Sequence, residues 1–150
     1  MPSAPRRSVN LGKQHPEAYK ALIELNAQAE AALVACGLDP LLGELVKIRV
    51  SQLNGCAFCL RMHTRDALKL GETSDRLAVL AAWWESQYFS EVEAAALALA
   101  EEVTQLEVPP SRAGDTAVLS AEQVSAISWL TIVMNSWNRI AIRSQYPVAP

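Results

Sequence analysis

Helix start and stop signals recur along the whole chain, and they constrain its fold more than any other feature. Pro16 opens one apolar-periodic segment and Gly37 closes it. Asp39 as N-cap and Pro40 at the first helical position open a second, which ends at Asn54–Gly55. A third runs from about Cys56 to Leu70, with Gly71 as its stop. Thr73 or Ser74 starts a shorter segment through Ala81–Trp84. Ser90 with Glu93 and Ser120 with Gln123 are capping boxes, in which each side chain satisfies a free backbone N–H of the opposite residue. The β-branched run Ile127–Val133 is compatible with a strand, but its caps and length predict helix. Pro109–Pro110 and Gly114 mark a loop. The alternating βαβ pattern of a thioredoxin-type fold is absent, so the expectation is an all-α protein.

The apolar positions predict which faces turn inward. In the first long helix these are Tyr19, Leu22, Ile23, Ala27, Ala31 and Leu33 or Val34. The next helix offers Leu41, Leu45, Ile48 and Leu53. With 150 residues, 51% of them hydrophobic, the chain has material for one ordinary core and needs no disulfide framework. It reads as a single domain, 1–150, with an N-terminal arm over 1–14 and a C-terminal tail over 144–150 of the kind that packs on a neighbouring subunit. A net charge of −3 with scattered basic residues argues against a nucleic-acid partner. No apolar stretch is long enough to span a membrane, and the N-terminus has no apolar signal core, so the expected compartment is the cytoplasm.

In a reducing compartment the pair Cys56 and Cys59 reads as redox or metal chemistry rather than as a staple. Positions 56, 59 and 63 are spaced i, i+3 and i+7, which aligns both thiols and His63 on one helix stripe. A helix N-terminus lowers a thiol's pKa, and a nearby imidazole can accept or relay its proton. Glu44 lies on the preceding helix, and a hairpin through Asn54–Gly55 brings it toward His63, where a carboxylate orients the ring and keeps it basic. Two other readings compete. Both cysteines can be inert core residues. Alternatively Cys56, Cys59, His63 and Glu44 offer a zinc-type donor set, although no second Cys or His pair accompanies them. Cys36 reads as a packed cysteine near a helix end and His15 as solvated. The four tryptophans read as core or interface aromatics. Arg61, Arg65 and Asp66 face partly away from the thiol stripe. Asn135, Asn138 and Arg139 need partners within an apolar helix and are candidates for bracing the site or an interface.

Glu44, then Cys56-Ala-Phe-Cys59, then His63-Thr-Arg-Asp-Ala and Gly71-Glu-Thr resemble the alkylhydroperoxidase AhpD-like branch of the carboxymuconolactone decarboxylase family. The "NSWNRIAI" stretch, Asn135–Ile142, is similar to the tail of its short members. The resemblance spans roughly Leu41 to Ile142. It implies an all-α, AhpD-like helical bundle with a CxxC-bearing helical hairpin, assembled as trimers or hexamers. The implied chemistry is reduction of a hydroperoxide, with no bound cofactor. Cys59 would be the peroxidatic cysteine and Cys56 its resolving partner, while Glu44 and His63 would relay protons. A lipoylated or other dithiol carrier protein would be the reductant. Helix position alone favours Cys56 as the more acidic thiol. The resemblance favours Cys59, which His63 follows by one turn. Ala57 and Phe58 stand where a better-understood member has a second histidine. The decarboxylases of the superfamily lack the CxxC, so lactone decarboxylation is not expected.

Overall fold

The computed structural model describes residues 7–107 and 115–150. Residues 1–6 of the expected arm and the Pro109–Pro110 and Gly114 loop lie outside them. Seven α-helices and no strand occur among the described residues: α1 (Leu11–Gln14), α2 (Pro16–Ala35), α3 (Pro40–Asn54), α4 (Ala57–Lys69), α5 (Ser74–Val79), α6 (Glu91–Gln105) and α7 (Ala121–Arg143). A 3-10 segment, Leu80–Glu85, extends α5, and another, Thr116–Val118, precedes α7.

The local signals act as the sequence suggests. The Asp39 carboxylate accepts from the Leu41 N–H at the start of α3. Both capping boxes are formed, Ser90 with Glu93 and Ser120 with Gln123. Gly55 ends α3 with φ of 68°, in the left-handed region where a side chain is disfavoured. The β-branched run lies inside α7.

α3 is the central helix. α4, α6 and α7 all pack against it, and α2 lies across α7. Every residue from Leu42 to Ser51 is buried, including Glu44, Lys47 and Arg49. An amphipathic reading of α3 from its leucines is therefore too narrow. The polar side of this helix also faces protein, because ion pairs to other helices neutralise its charges. At Gly43 the Leu33 side chain of α2 fills the place of a side chain: a Cβ there would stand 2.9 Å from it.

The inner face of α2 also differs from expectation. Ala29 and Leu33 are buried and Leu22 and Leu25 pack against the core, whereas Ile23, Ala27 and Ala31 are exposed. Alanines surround this helix on all sides and carry little directional information. The faces are set by α7, on which α2 rests.

The first described residues meet the end of α7. The Leu11 N–H donates to Ser144 Oγ, and Arg143 donates to the Arg7 carbonyl. Beyond α7, Tyr146 packs edge-on against Phe58 of α4, with ring centroids 5.1 Å apart. The Ala149 carbonyl accepts from Arg61, so Tyr146 and Ala149 both lie against α4 of their own chain. Among the described residues no helix is long and apolar enough to cross a membrane.

Candidate functional site

The α3–α4 hairpin turns at Gly55 and delivers Cys56 to the N-cap of α4. Its sulfur accepts from the Cys59 N–H at 3.3 Å. The two cysteines are bonded to each other as a disulfide, with Cα atoms 5.3 Å apart, and both are buried. Cys59, His63 and Ala67 are the buried residues of α4, at i, i+4 and i+8. Cys56 belongs just ahead of that stripe, at the cap rather than in the first turn.

Polar side chains of α7 secure the end of α3. Asn54 Nδ2 donates to Asn135 Oδ1 and Asn138 Oδ1, both at 2.9 Å. Asn138 Nδ2 donates to Ser51 Oγ, and the Ser51 carbonyl receives the Cys56 N–H. Asn135 and Asn138 therefore brace the turn that carries the dithiol. Among the described residues Arg139 bonds to Asn135, through its carbonyl and its Oδ1.

Glu44 reaches His63 across the hairpin, as the spacing suggests. Glu44 Oε2 lies 2.9 Å from His63 Nδ1, and Glu44 Oε1 accepts from Lys47 Nζ at 2.8 Å. Lys47 in turn donates to Glu30 Oε1 of α2 at 2.5 Å. Burial by itself would raise the Glu44 carboxyl, but the His63 hydrogen bond and the Lys47 ammonium outweigh it and hold Glu44 below the ordinary carboxylate range. For Lys47 the balance is reversed in sign. Burial would lower it, and the charges of Glu44 and Glu30 hold it above the usual lysine value. An ionised carboxylate only accepts, so the proton of the Glu44–His63 contact sits on Nδ1. In the neutral ring this leaves Nε2 as the acceptor.

A cavity of about 380 Å³ opens beside the cysteines. Cys59 and His63 form one wall, and Tyr19, Phe58, Trp137 and Tyr146 form much of the rest, with Ile23, Met62 and Met134. The exposed face of Ile23 is thus a cavity wall. Tyr19 packs edge-on to Trp137, whose indole N–H donates to Asn26. The surroundings are apolar and aromatic, with Glu30 at the margin.

The four residues Glu44, Cys56, Cys59 and His63 are brought together. Asp66 belongs beside them: its carboxylate, Glu44 and His63 have donor atoms within 4.8 Å of one another. It follows His63 by three positions, which is one helix face, and that spacing could have identified it. Neither cysteine belongs to this grouping, and the Lys47 ammonium against Glu44 opposes a cation there. Lys47, three residues after Glu44, was also legible by spacing. Glu30 was not, because only the packing of α2 brings it in. Cys36 is half-buried at the end of α2, with its S–H donating to the Leu33 carbonyl, and it lies apart from the site. Trp83 is a core residue, donating to Glu101, and His15 is exposed.

Residues 16–102 match the profile of the carboxymuconolactone decarboxylase family. Over 133 residues the chain is 38% identical to the uncharacterized protein YdfG of Bacillus subtilis, covering 85% of this chain and 86% of that one. A shorter match, 36% over 64 residues, is to the uncharacterized protein YnjA of Escherichia coli, and it covers 43% of this chain and 35% of that protein. Among solved structures the chain superposes with a TM-score of 0.81 and 31% identity on a protein of unknown function from Agrobacterium tumefaciens, provisionally assigned there as the antioxidant defence protein AhpD. The match covers 96% of this chain and 100% of that one.

Proposed function

The chain belongs to the carboxymuconolactone decarboxylase family, with an AhpD-like fold, and from that premise we propose that it is a thiol-dependent peroxidase cycling Cys56 and Cys59. The observation that carries this reading is the cysteine pair at the N-terminus of α4, with Cys59 on the wall of an apolar cavity and His63 of the same wall held by Glu44.

In the reduced protein, His63 Nε2 takes the Cys59 proton and leaves a thiolate. The thiolate sulfur attacks the outer oxygen of a hydroperoxide. The O–O bond breaks, and the departing alkoxide takes the proton from His63 to leave as an alcohol. Cys59 is now a sulfenic acid. Cys56 sulfur then attacks Cys59 sulfur, its thiol proton leaves with the hydroxyl as water, and the disulfide forms. Two electrons and two protons from a dithiol on a carrier protein restore both thiols, a lipoyl group being the natural form. Such a cycle suits a reducing compartment such as the cytoplasm. The apolar surface on α7, with Trp129 and Ile132 exposed, suits a homo-oligomer.

The test is hydroperoxide consumption coupled to a small dithiol. Wild type consumes the peroxide and Cys59→Ser does not. Cys56→Ser stops after one turnover, and mass spectrometry finds Cys59 as sulfenic acid or as a mixed disulfide. Undiminished turnover by Cys59→Ser would overturn the proposal.

A further inference from the structure

Lys47 has no part in the chemistry outlined above, yet it is 7% exposed and carries a charge. Its ammonium is set between two carboxylates, Glu30 on α2 and Glu44 on α3. A second cavity, of about 210 Å³, lies behind them and is lined by Glu30, Glu44, Lys47 and Leu130. Lys47 lines this rear cavity and is not part of the wall of the front one, where Cys59 and His63 stand. It therefore does not touch a molecule bound beside the cysteines. Its influence on them runs through Glu44.

That influence follows from donor and acceptor roles. Glu44 has two oxygens, one committed to Lys47 and one to His63. While Lys47 donates to Oε1, a proton on that oxygen is excluded, and the positive charge favours an ionised carboxylate. An ionised Glu44 must receive the His63 Nδ1–H at Oε2. A protonated Glu44 can instead donate to Nδ1, and the ring then carries its proton on Nε2, on the wrong nitrogen for a base. Glu30, whose side chain is half-exposed, holds Lys47 from the opposite side and keeps the ammonium from swinging out to solvent. The charged and titratable groups around this pair are Glu30 from α2, Lys47 from α3, and His63 and Asp66 from α4. From α7 the rear cavity receives only the apolar Leu130.

We propose that Lys47 is a positioning residue: clamped between Glu30 and Glu44, it fixes Glu44 as a pure acceptor and so holds His63 in the Nδ1–H tautomer, with Nε2 free to take the Cys59 proton. This rests on the role given to His63 and Cys59 above. It is also consistent with the depressed Glu44 carboxyl. Removal of Lys47 takes away both its charge and its hydrogen bond, which oppose the effect of burial on Glu44, and the carboxyl then takes up a proton at higher pH than in wild type.

The experiment measures alkylation of the reduced full-length protein by iodoacetamide across pH, read peptide by peptide, in wild type, Lys47→Met and Lys47→Arg. In Lys47→Met the Cys59 rate at about pH 6 falls roughly ten-fold and its acid limb moves to higher pH. Lys47→Arg retains the wild-type profile, and Cys36 reacts alike in all three. A purely structural role would not move the profile in this selective way. An unchanged Cys59 profile in Lys47→Met overturns the proposal. The ring ¹⁵N shifts of wild-type His63 test it independently of whether that variant folds: a proton on Nδ1 at neutral pH supports it, and one on Nε2 overturns it. If wild type consumes no hydroperoxide while the Cys59 profile still shifts in Lys47→Met, the peroxidase reading falls and the assignment of Lys47 stands.

Discussion

Arg49 and Glu101 show what a buried charge demands of its neighbours. Glu101 is fully buried on α6, and its Oε1 accepts from Arg49 Nε at 2.7 Å and from Trp83 Nε1 at 2.9 Å. Its Oε2 has no partner among the described residues. Arg49 also donates to Gln52 and lies 6.0 Å from the Trp84 ring centroid. Arg49→Met would leave a carboxylate in the core with one neutral donor, and it is expected to cost about 3–5 kcal/mol. Arg49→Met combined with Glu101→Gln removes both charges while keeping an acceptor for the Trp83 indole. The double variant is expected to recover more than half of that loss. Urea denaturation of the four proteins in the cycle measures this directly. Additive losses in the double variant would show that the pair is not the reason for the penalty. At this scale the sequence was least informative. Arg49 and Glu101 are 52 residues apart, and nothing local marks either as internal.

Helices and their ends were far more legible, because caps are local chemistry. Asp39, Ser90, Ser120 and Gly55 each act within a few residues of themselves. Faces were harder to read. On α2 the alanines blurred the inner side, and on α3 the paired charges concealed burial on every side. The hairpin could be drawn from sequence because Asn54–Gly55 states its turn. The clamp upon it could only be suspected, since Asn135 and Asn138 needed partners that the sequence does not name. Asn138 is fully buried and joins Asn54 to Ser51. Asn138→Ala removes one bond from each of those groups, while Asn54 keeps Asn135 and Ser51 keeps the Lys47 carbonyl, and the expected loss is about 1–3 kcal/mol. Gly55→Ala forces a Cβ into the left-handed region, at a cost of about 1–2 kcal/mol, although the space around it is open. Thermal or urea unfolding measures both. A stability for Asn138→Ala equal to wild type would show that the clamp does not hold the turn.

For the whole molecule, the same polar chain that faces the dithiol ties three helices together. Glu30 of α2, Glu44 and Lys47 of α3 and His63 of α4 form one continuous run of contacts through the interior. Its charge state sets how stability responds to pH. Glu44 binds its proton less readily folded than unfolded, so its contribution is fully present above the ordinary value of 4.5 and is lost as pH falls through its lower folded value. Lys47 holds its proton more tightly folded than unfolded. That contribution is fully present below the ordinary value of 10.5 and is lost as pH rises through its higher folded value. The two together predict a broad plateau of stability with an acid and an alkaline shoulder. Glu44→Gln removes the carboxyl that titrates on the acid side. Its urea midpoint should therefore lie below wild type on the plateau and approach it in acid, where wild-type Glu44 is itself neutral. Lys47→Met should converge with wild type on the alkaline side instead. Urea midpoints measured across pH for the three proteins give the result. Curves displaced in parallel at every pH would show that neither group carries its charge into the fold.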